Sequence, residues 1–285
     1  MSATRPSILY VTDLTYEARG RRYCDEDILL SSRLREDFDV ALCHPLDAAA
    51  LMGAHDAVLV RNSGPVLGYQ DRYDDFRDRA LKDGVRVYNQ LTGKADMLGK
   101  QYLLDLCAAG YPVIPTVDRA QDTGRLPAAD EYVVKPKLGA DSVGLEIVPG
   151  RRLPDLAYGD VLVQPRIRFA YEVSFYFIDR TFQYALYAPR PDRRWALEPY
   201  QADAADLAFA QRFVDWNDID HGIQRVDACR TPDGELLLVE LEDLNPYLSL
   251  DLLGPEARDA FAAGVKTSLR GLLETAPAPA PGGTA

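Results

Sequence analysis

In the first third of the chain, short apolar runs alternate with longer stretches whose apolar residues recur at helical spacing. Ser7 to Val11 reads as a buried strand, Asp25 to Phe38 as an amphipathic helical region, and Asp39 to Cys43 as a second strand. Ala57 to Arg61 is a third strand, running into the turn-like Asn62 to Pro65. Gly68 to Lys82 reads as a helix, and Val85 to Tyr88 as a further strand. Strands alternating with helices predict a small open α/β domain, with the loop from Arg61 and Asn62 to Gly64 facing a ligand crevice.

Met97 to Ala109 has helical periodicity and ends at Gly110, followed by Tyr111 and Pro112, as helices commonly do. From Tyr132 the texture changes to strands and turns. Tyr132 to Val134, Gly144 to Val148 and Asp160 to Gln164 read as strands. Glu172 to Asp179 and Phe182 to Ala188 form a hairpin, and Val226 to Arg230 pairs with Glu235 to Leu241 across the turn Thr231 to Gly234. Ala204 to Trp216 and Pro255 to Leu273 read as helices. The tail from Ala276, with Pro-Ala repeats, reads as disordered.

The formal net charge of −12 argues against nucleic acid as a partner, because such binding depends on neutralising phosphates. No stretch is apolar over the length needed to span a bilayer, and the start of the chain lacks the apolar run of a signal peptide, so a cytoplasmic location is expected. Cys24, Cys43, Cys107 and Cys229 are scattered, as are His44, His55 and His221. This argues against a disulfide framework, a zinc site or a His-dependent triad.

Four segments carry chemistry. Lys135 and Pro136 leave the end of a strand and enter a loop with Gly139, Ser142 and Gly144, where backbone N–H groups could meet phosphate. This is not a Walker A loop, because Leu145 and Glu146 stand where Lys and Ser or Thr are required. Lys100 lies at the start of the helix after Asn89. Gln164, Pro165, Arg166 and Ile167 break an apolar strand where a flat adenine could meet backbone groups, and Glu172 on the next strand could take ribose hydroxyls. The most informative segment sets Arg225 and Asp227 on one strand against Glu240 and Glu242 on its hairpin partner. Three carboxylates on one sheet face need cations between them, and oxygen ligands of this kind suit Mg2+ or Mn2+ held jointly with nucleotide phosphates. Asp243 is expected to face the other side.

In this order and spacing, over roughly residues 87–252, these segments resemble the ATP-grasp superfamily, in particular prokaryotic glutathione synthetase and D-alanine:D-alanine ligase. Asn89 precedes Lys100 by eleven positions, Lys135 and Pro136 match the second lysine step, Gln164 to Ile167 match the hinge, and Asp227 precedes Glu240 by thirteen positions. Glu242 departs from the usual asparagine, and Asn245 stands close by. The resemblance implies an α/β (α+β) ATP-grasp fold with an N-terminal open α/β domain over 1–88, a small lid subdomain with a linking helix over 89–165, a C-terminal antiparallel-sheet catalytic subdomain over 166–275, and the tail 276–285. It implies ATP and Mg2+ (or Mn2+) as cofactors and an ADP-forming ligase joining a small-molecule carboxylate to an amine through an acylphosphate. Lys100 and Lys135 would neutralise phosphates; the loop from Gly139 through Ser142 would close over them. Asp227, Glu240 and Glu242 would hold metal, and Arg225 would stabilise the acylphosphate and the oxyanion. Arg61, Asn62, Arg190, Arg193, Arg194 and Asn245 would be candidates to grip substrate. The same sites would serve a carboxylate kinase, a ligase with a hydroxyl or thiol nucleophile, or a nucleotide-binding protein without turnover. The family also leaves room for a homo-oligomer.

Overall fold

The computed structural model describes residues 5–18, 21–61, 66–139 and 143–275. The turn containing Asn62, the loop residue Ser142 and the tail 276–285 lie outside the described residues.

The N-terminal strands β1 (Ser7–Val11), β4 (Asp39–Cys43), β5 (Ala57–Val60) and β6 (Val87–Tyr88) form a parallel sheet in the order β4-β1-β5-β6. A two-residue ribbon, β2 (Glu17–Ala18) and β3 (Arg21–Arg22), sits between β1 and helix α1 (Cys24–Leu34). Helices α2 (Ala48–Leu51) and α3 (Gln70–Asp83) provide the remaining crossovers. β5 is buried and apolar throughout, and β1 is buried from Ile8 to Val11, as expected of parallel strands covered on both faces.

The helix expected from Met97 is split. Asp96–Leu98 forms one 3-10 turn, and helix α4 begins only at Tyr102 (Tyr102–Ala108). The cause is Gly99, at φ +93°, where a side chain would approach the Lys137 carbonyl. The break turns Lys100 out of helical register, and its amide instead donates to the Lys137 carbonyl at 2.7 Å.

Strands β7 (Glu131–Pro136), β8 (Glu146–Pro149) and β9 (Val161–Pro165) form an antiparallel sheet in the order β8-β7-β9. Strands β10 (Tyr171–Ile178), β11 (Thr181–Ala188), β12 (Glu198–Tyr200), β13 (Ile223–Arg230) and β14 (Leu236–Glu242) form a second one in the order β12-β11-β10-β13-β14. On one face of this sheet, Val173, Phe175, Val226 and Leu241 pack against α4 and against Ala210, Phe213 and Val214 of helix α5 (Ala204–Trp216). Asp203 caps α5 through the amides of Ala205 and Asp206. On the other face, Tyr176, Ile178 and Ile223 share a core with helix α6 (Pro255–Glu274) and with Ile8, Tyr10 and Leu59 of the N-terminal sheet. Among the described residues no helix is long and apolar enough to cross a membrane.

Strand β14 contains the irregularity on which the site depends. Asp227 pairs with Glu240 but Ala228 pairs with Leu238, so Val239 is an extra residue, a β-bulge. Leu236 and Leu238 point into the core. With strict alternation Glu240 and Glu242 would follow them inward. The bulge resets the alternation, so that Leu241 is buried and the two glutamates face the opposite side.

Phe213 is fully buried and packs on Phe209 and Tyr111. Phe213→Ala should therefore cost about 3–5 kcal/mol of unfolding free energy in urea titrations; a loss below about 1 kcal/mol would show that α5 is not a principal support of the five-stranded sheet.

Candidate active site

The side of the five-stranded sheet opposite α4 and α5 presents Glu172 and Ser174 from β10, Arg225 and Asp227 from β13, and Glu240 and Glu242 from β14. Ser174 and Glu240 both pair in register with Asp227, and Glu242 pairs with Arg225. As a result, carboxylate oxygens of Asp227, Glu240 and Glu242 lie within 4.8 Å of one another. Three anions this close are tolerated because cations are inserted among them. Arg225 forks onto Asp227 with contacts of 2.9 and 2.8 Å and reaches Glu242 at 2.5 Å. Lys100 forms an ion pair with Glu240 and a second with Asp96 at 3.0 Å. Ser174 donates to Asp227 at 2.6 Å. Burial, with Asp227 alongside, pushes the Glu242 carboxyl up to about 8 although Arg225 opposes the shift.

Asp243 faces away, as expected, yet it holds the site together. It is fully buried, accepts the amides of Ala95 and Met97 at 3.1 and 2.8 Å, and takes a third bond from Asn217. These bonds position the segment that delivers Asp96 and Lys100. Asn89 plays a comparable part. Its side-chain amide donates to the carbonyls of Ile223 and Asp243 and its oxygen accepts the Ile223 amide, which joins β6 to the strand ends of the site.

Lys135 is the penultimate residue of β7 and is only 8% exposed. Its ammonium donates to the carbonyl of Val239, the bulged residue, at 3.5 Å. Burial, reinforced by Lys100, lowers its pKa to about 7. Gly144, at φ +75°, closes the loop that follows Lys135, where a side chain would collide with the Pro136 ring. Gly139 opens the same loop.

Beside Lys135 lies a cleft of ≈ 930 Å³ between the two antiparallel sheets. Ile114, Leu145 and Ile147 give it apolar walls. Gln164, Pro165, Arg166 and Ile167 line one edge, and Glu172 stands at its mouth. The Gln164 side chain is itself buried and donates to Thr116, so what this edge offers a ligand is backbone. Arg166 pairs with Glu131. A smaller cavity of ≈ 160 Å³ adjoins the carboxylates and is walled by Tyr16, Tyr23, Tyr176, Trp195 and Tyr247, with Asn245 and Ser249 at its base. Glu172 and Arg194, paired at 2.6 Å, line both spaces.

The structure therefore brings together Lys100, Lys135, Gln164 to Ile167, Glu172, Arg225, Asp227, Glu240 and Glu242. Asn245 lines the smaller cavity together with the three carboxylates. Arg61 is 2% exposed and committed to Glu26 at 2.9 Å and Asp27 at 3.4 Å, so it does not face the cavity. Arg190 and Arg193 lie on the exposed segment before Arg194, and Arg193 borders a separate shallow depression. Asp96, Ser174 and the tyrosine wall were not singled out from sequence. Ser174 was accessible there, being two residues beyond Glu172 on the same strand face; Tyr16 and Tyr23 carry no such signal.

No family model matches the sequence, and no curated protein does. Solved structures do. D-cycloserine synthetase DcsG superposes with a TM-score of 0.70 at 23% identity, covering 92% of this chain and 99% of that one. The ATP-grasp ligase PsnB, in a complex with a phosphomimetic variant of its minimal precursor, Mg and ADP, gives 0.64 at 16% identity, with 94% and 99% covered. This chain has the ATP-grasp fold. D-alanine–D-alanine ligase from Bacillus anthracis, complexed with ATP, gives 0.63 at 14% identity over 96% and 97% of the two chains.

Lys135 should titrate with a midpoint at about 7, read as the one lysine 15Nζ resonance that is absent from Lys135→Arg. It is the ammonium below that pH and the neutral amine above it. A midpoint near the ordinary value of about 10.4 would mean that the side chain is solvated and not in the cleft.

Proposed function

We propose that the protein is an ATP-dependent, ADP-forming ligase that joins a small carboxylate to an amine through an acylphosphate, with Mg2+ or Mn2+ as the metal. The observation that carries this reading is the carboxylate cluster, flanked by Lys100 and Arg225 and lining a cavity that shares Glu172, Arg194 and Val239 with the cleft beside Lys135. The donor set fits a hard divalent cation: three carboxylates with oxygens within 4.8 Å of one another, paired with Arg225 and Lys100. Asp227, Glu240 and Glu242 would hold the metal, which when bound supplies charge neutralisation to phosphate oxygens and to the leaving group.

The chain's own residues do the rest by position and charge. The adenine edge meets backbone groups of Gln164 to Ile167 between the apolar walls. Lys135, whose pKa burial lowers to about 7, would be held fully charged against phosphate. Lys100, released from Glu240, neutralises a second phosphate. Arg225 remains tethered to the Tyr247 carbonyl at 2.9 Å and points its fork where the acylphosphate and the tetrahedral oxyanion develop. The small cavity with its aromatic wall receives the acceptor carboxylate, next to the metal site and shielded from water. The size of that cavity favours amino-acid-like substrates over bulky ones.

A screen of ADP release over pairs of small carboxylates and amines should give turnover only when both partners are present; equal phosphate transfer with the carboxylate alone would instead favour a kinase. With an active pair, Glu240→Gln should lower metal-dependent turnover by about 100-fold or more with folding intact. Normal activity in that variant would remove Glu240 from the metal site. Lys135→Ala should raise the ATP KM by about tenfold or more, and an unchanged KM would exclude it from phosphate binding.

A further inference from the structure

Asn245, Tyr247 and Ser249, which line the small cavity, lie on a segment that belongs to no strand or helix. It is held from outside the catalytic sheet. Glu26, in the first turn of α1, is 6% exposed, and its carboxylate accepts the Leu248 amide at 3.0 and 3.1 Å. The same carboxylate accepts Arg61 Nη2 at 2.9 Å, and that nitrogen also donates to the Pro246 carbonyl at 3.0 Å. Asp27 completes the group, 3.4 Å from Arg61 Nε and fixed by the Tyr10 and Thr12 hydroxyls at 2.8 Å each. From the other side, the Tyr247 carbonyl accepts Arg225 Nη1. Three consecutive residues are thus pinned: Pro246 by Arg61, Tyr247 by Arg225 and Leu248 by Glu26.

A buried ion pair of this kind is a poor source of stability, since apolar residues of similar volume usually do as well or better. What it supplies is a defined backbone position, and that position lies directly under the cavity and on the tether of Arg225. We propose that Glu26 and Arg61 are positioning residues: they hold the backbone of residues 246–248 so that the Tyr247 carbonyl fixes Arg225 and Asn245 and Ser249 face the acceptor. This rests on the ligase reading given above. It also assigns Arg61, expected from sequence to grip substrate, to a role exerted through other groups.

Hydrogen exchange and NMR on the full chain test the proposal without an acceptor. In Glu26→Ala the Leu248 amide should exchange about tenfold faster or more, while the amides of Phe175 and Val226 keep wild-type protection. The Arg225 guanidinium resonance should broaden or shift in the same variant. Glu26→Gln, which keeps an acceptor for Leu248, should restore both signals. A folded Glu26→Ala with Leu248 exchange and the Arg225 resonance unchanged would overturn the proposal. If Glu26→Ala does not fold, Arg61→Lys serves in its place. It keeps the charge but lacks the fork that lets Nη2 meet Glu26 and Pro246 while Nε faces Asp27, so the same two signals should move, and their constancy would overturn the proposal equally. Binding of Mn2+·ADP to the wild-type chain, followed by Mn2+ EPR, is the independent control: its absence would remove the ligase reading, whereas the exchange result does not depend on it.

Discussion

Three carboxylates packed onto one face of a sheet repel one another unless positive charge lies among them, and much of this molecule is arranged to meet that demand. One cation comes from the sheet itself, because Arg225 shares a strand with Asp227 and pairs in register with Glu242. The other must be delivered from elsewhere. Lys100 arrives on a segment that Gly99 breaks out of helical geometry and that buried Asp243 holds by its amides. Lys135 differs in kind: it lines the larger cleft, where its side chain donates to a backbone carbonyl. Arg225 and Lys100 thus offset part of the negative charge that the three carboxylates carry.

The sheet that carries these groups is rigid because it is packed on both faces. One face meets α4 and α5; the other meets α6 and the N-terminal sheet wherever it is not lining the cleft. The N-terminal residues are therefore more than a neighbouring unit. Through Glu26, Arg61 and Asp27 they reach the backbone beneath the small cavity, and through Tyr16 and Tyr23 they form part of its wall.

Most strands and both long C-terminal helices were legible in the chain because each obeys a local rule. Alternation and turn residues mark β10, β11, β13 and β14 but not the short β12; Asp203 marks the start of α5; Pro255 marks the start of α6. The carboxylate cluster was legible because hairpin partners lie close in sequence. What escaped was whatever depends on distant contacts. Arg61 at a strand end has the same local pattern whether it grips a ligand or pairs with Glu26 in the interior, and only the fold distinguishes the two. The arginine-rich segment from Arg190 to Arg194 carries charge that composition cannot assign, and only Arg194 reaches a site residue, Glu172. The helix expected from Met97 failed for a different reason: periodicity does not register that Gly99 adopts a backbone angle closed to other residues.

The extra residue at Val239 has an evolutionary corollary. A strand that alternates without interruption tolerates loss or gain of residues at its ends, because the frame of inside and outside is preserved. β14 has two frames, one for Leu236 and Leu238 and another for Glu240 and Glu242, joined at a single position. Lineages descending from this chain should be free to vary the side chain at 239 but not the number of residues there. A one-residue deletion at that point would send both glutamates towards the hydrophobic interior and Leu241 towards the cleft, so the strand's length is under stricter selection than most of its letters.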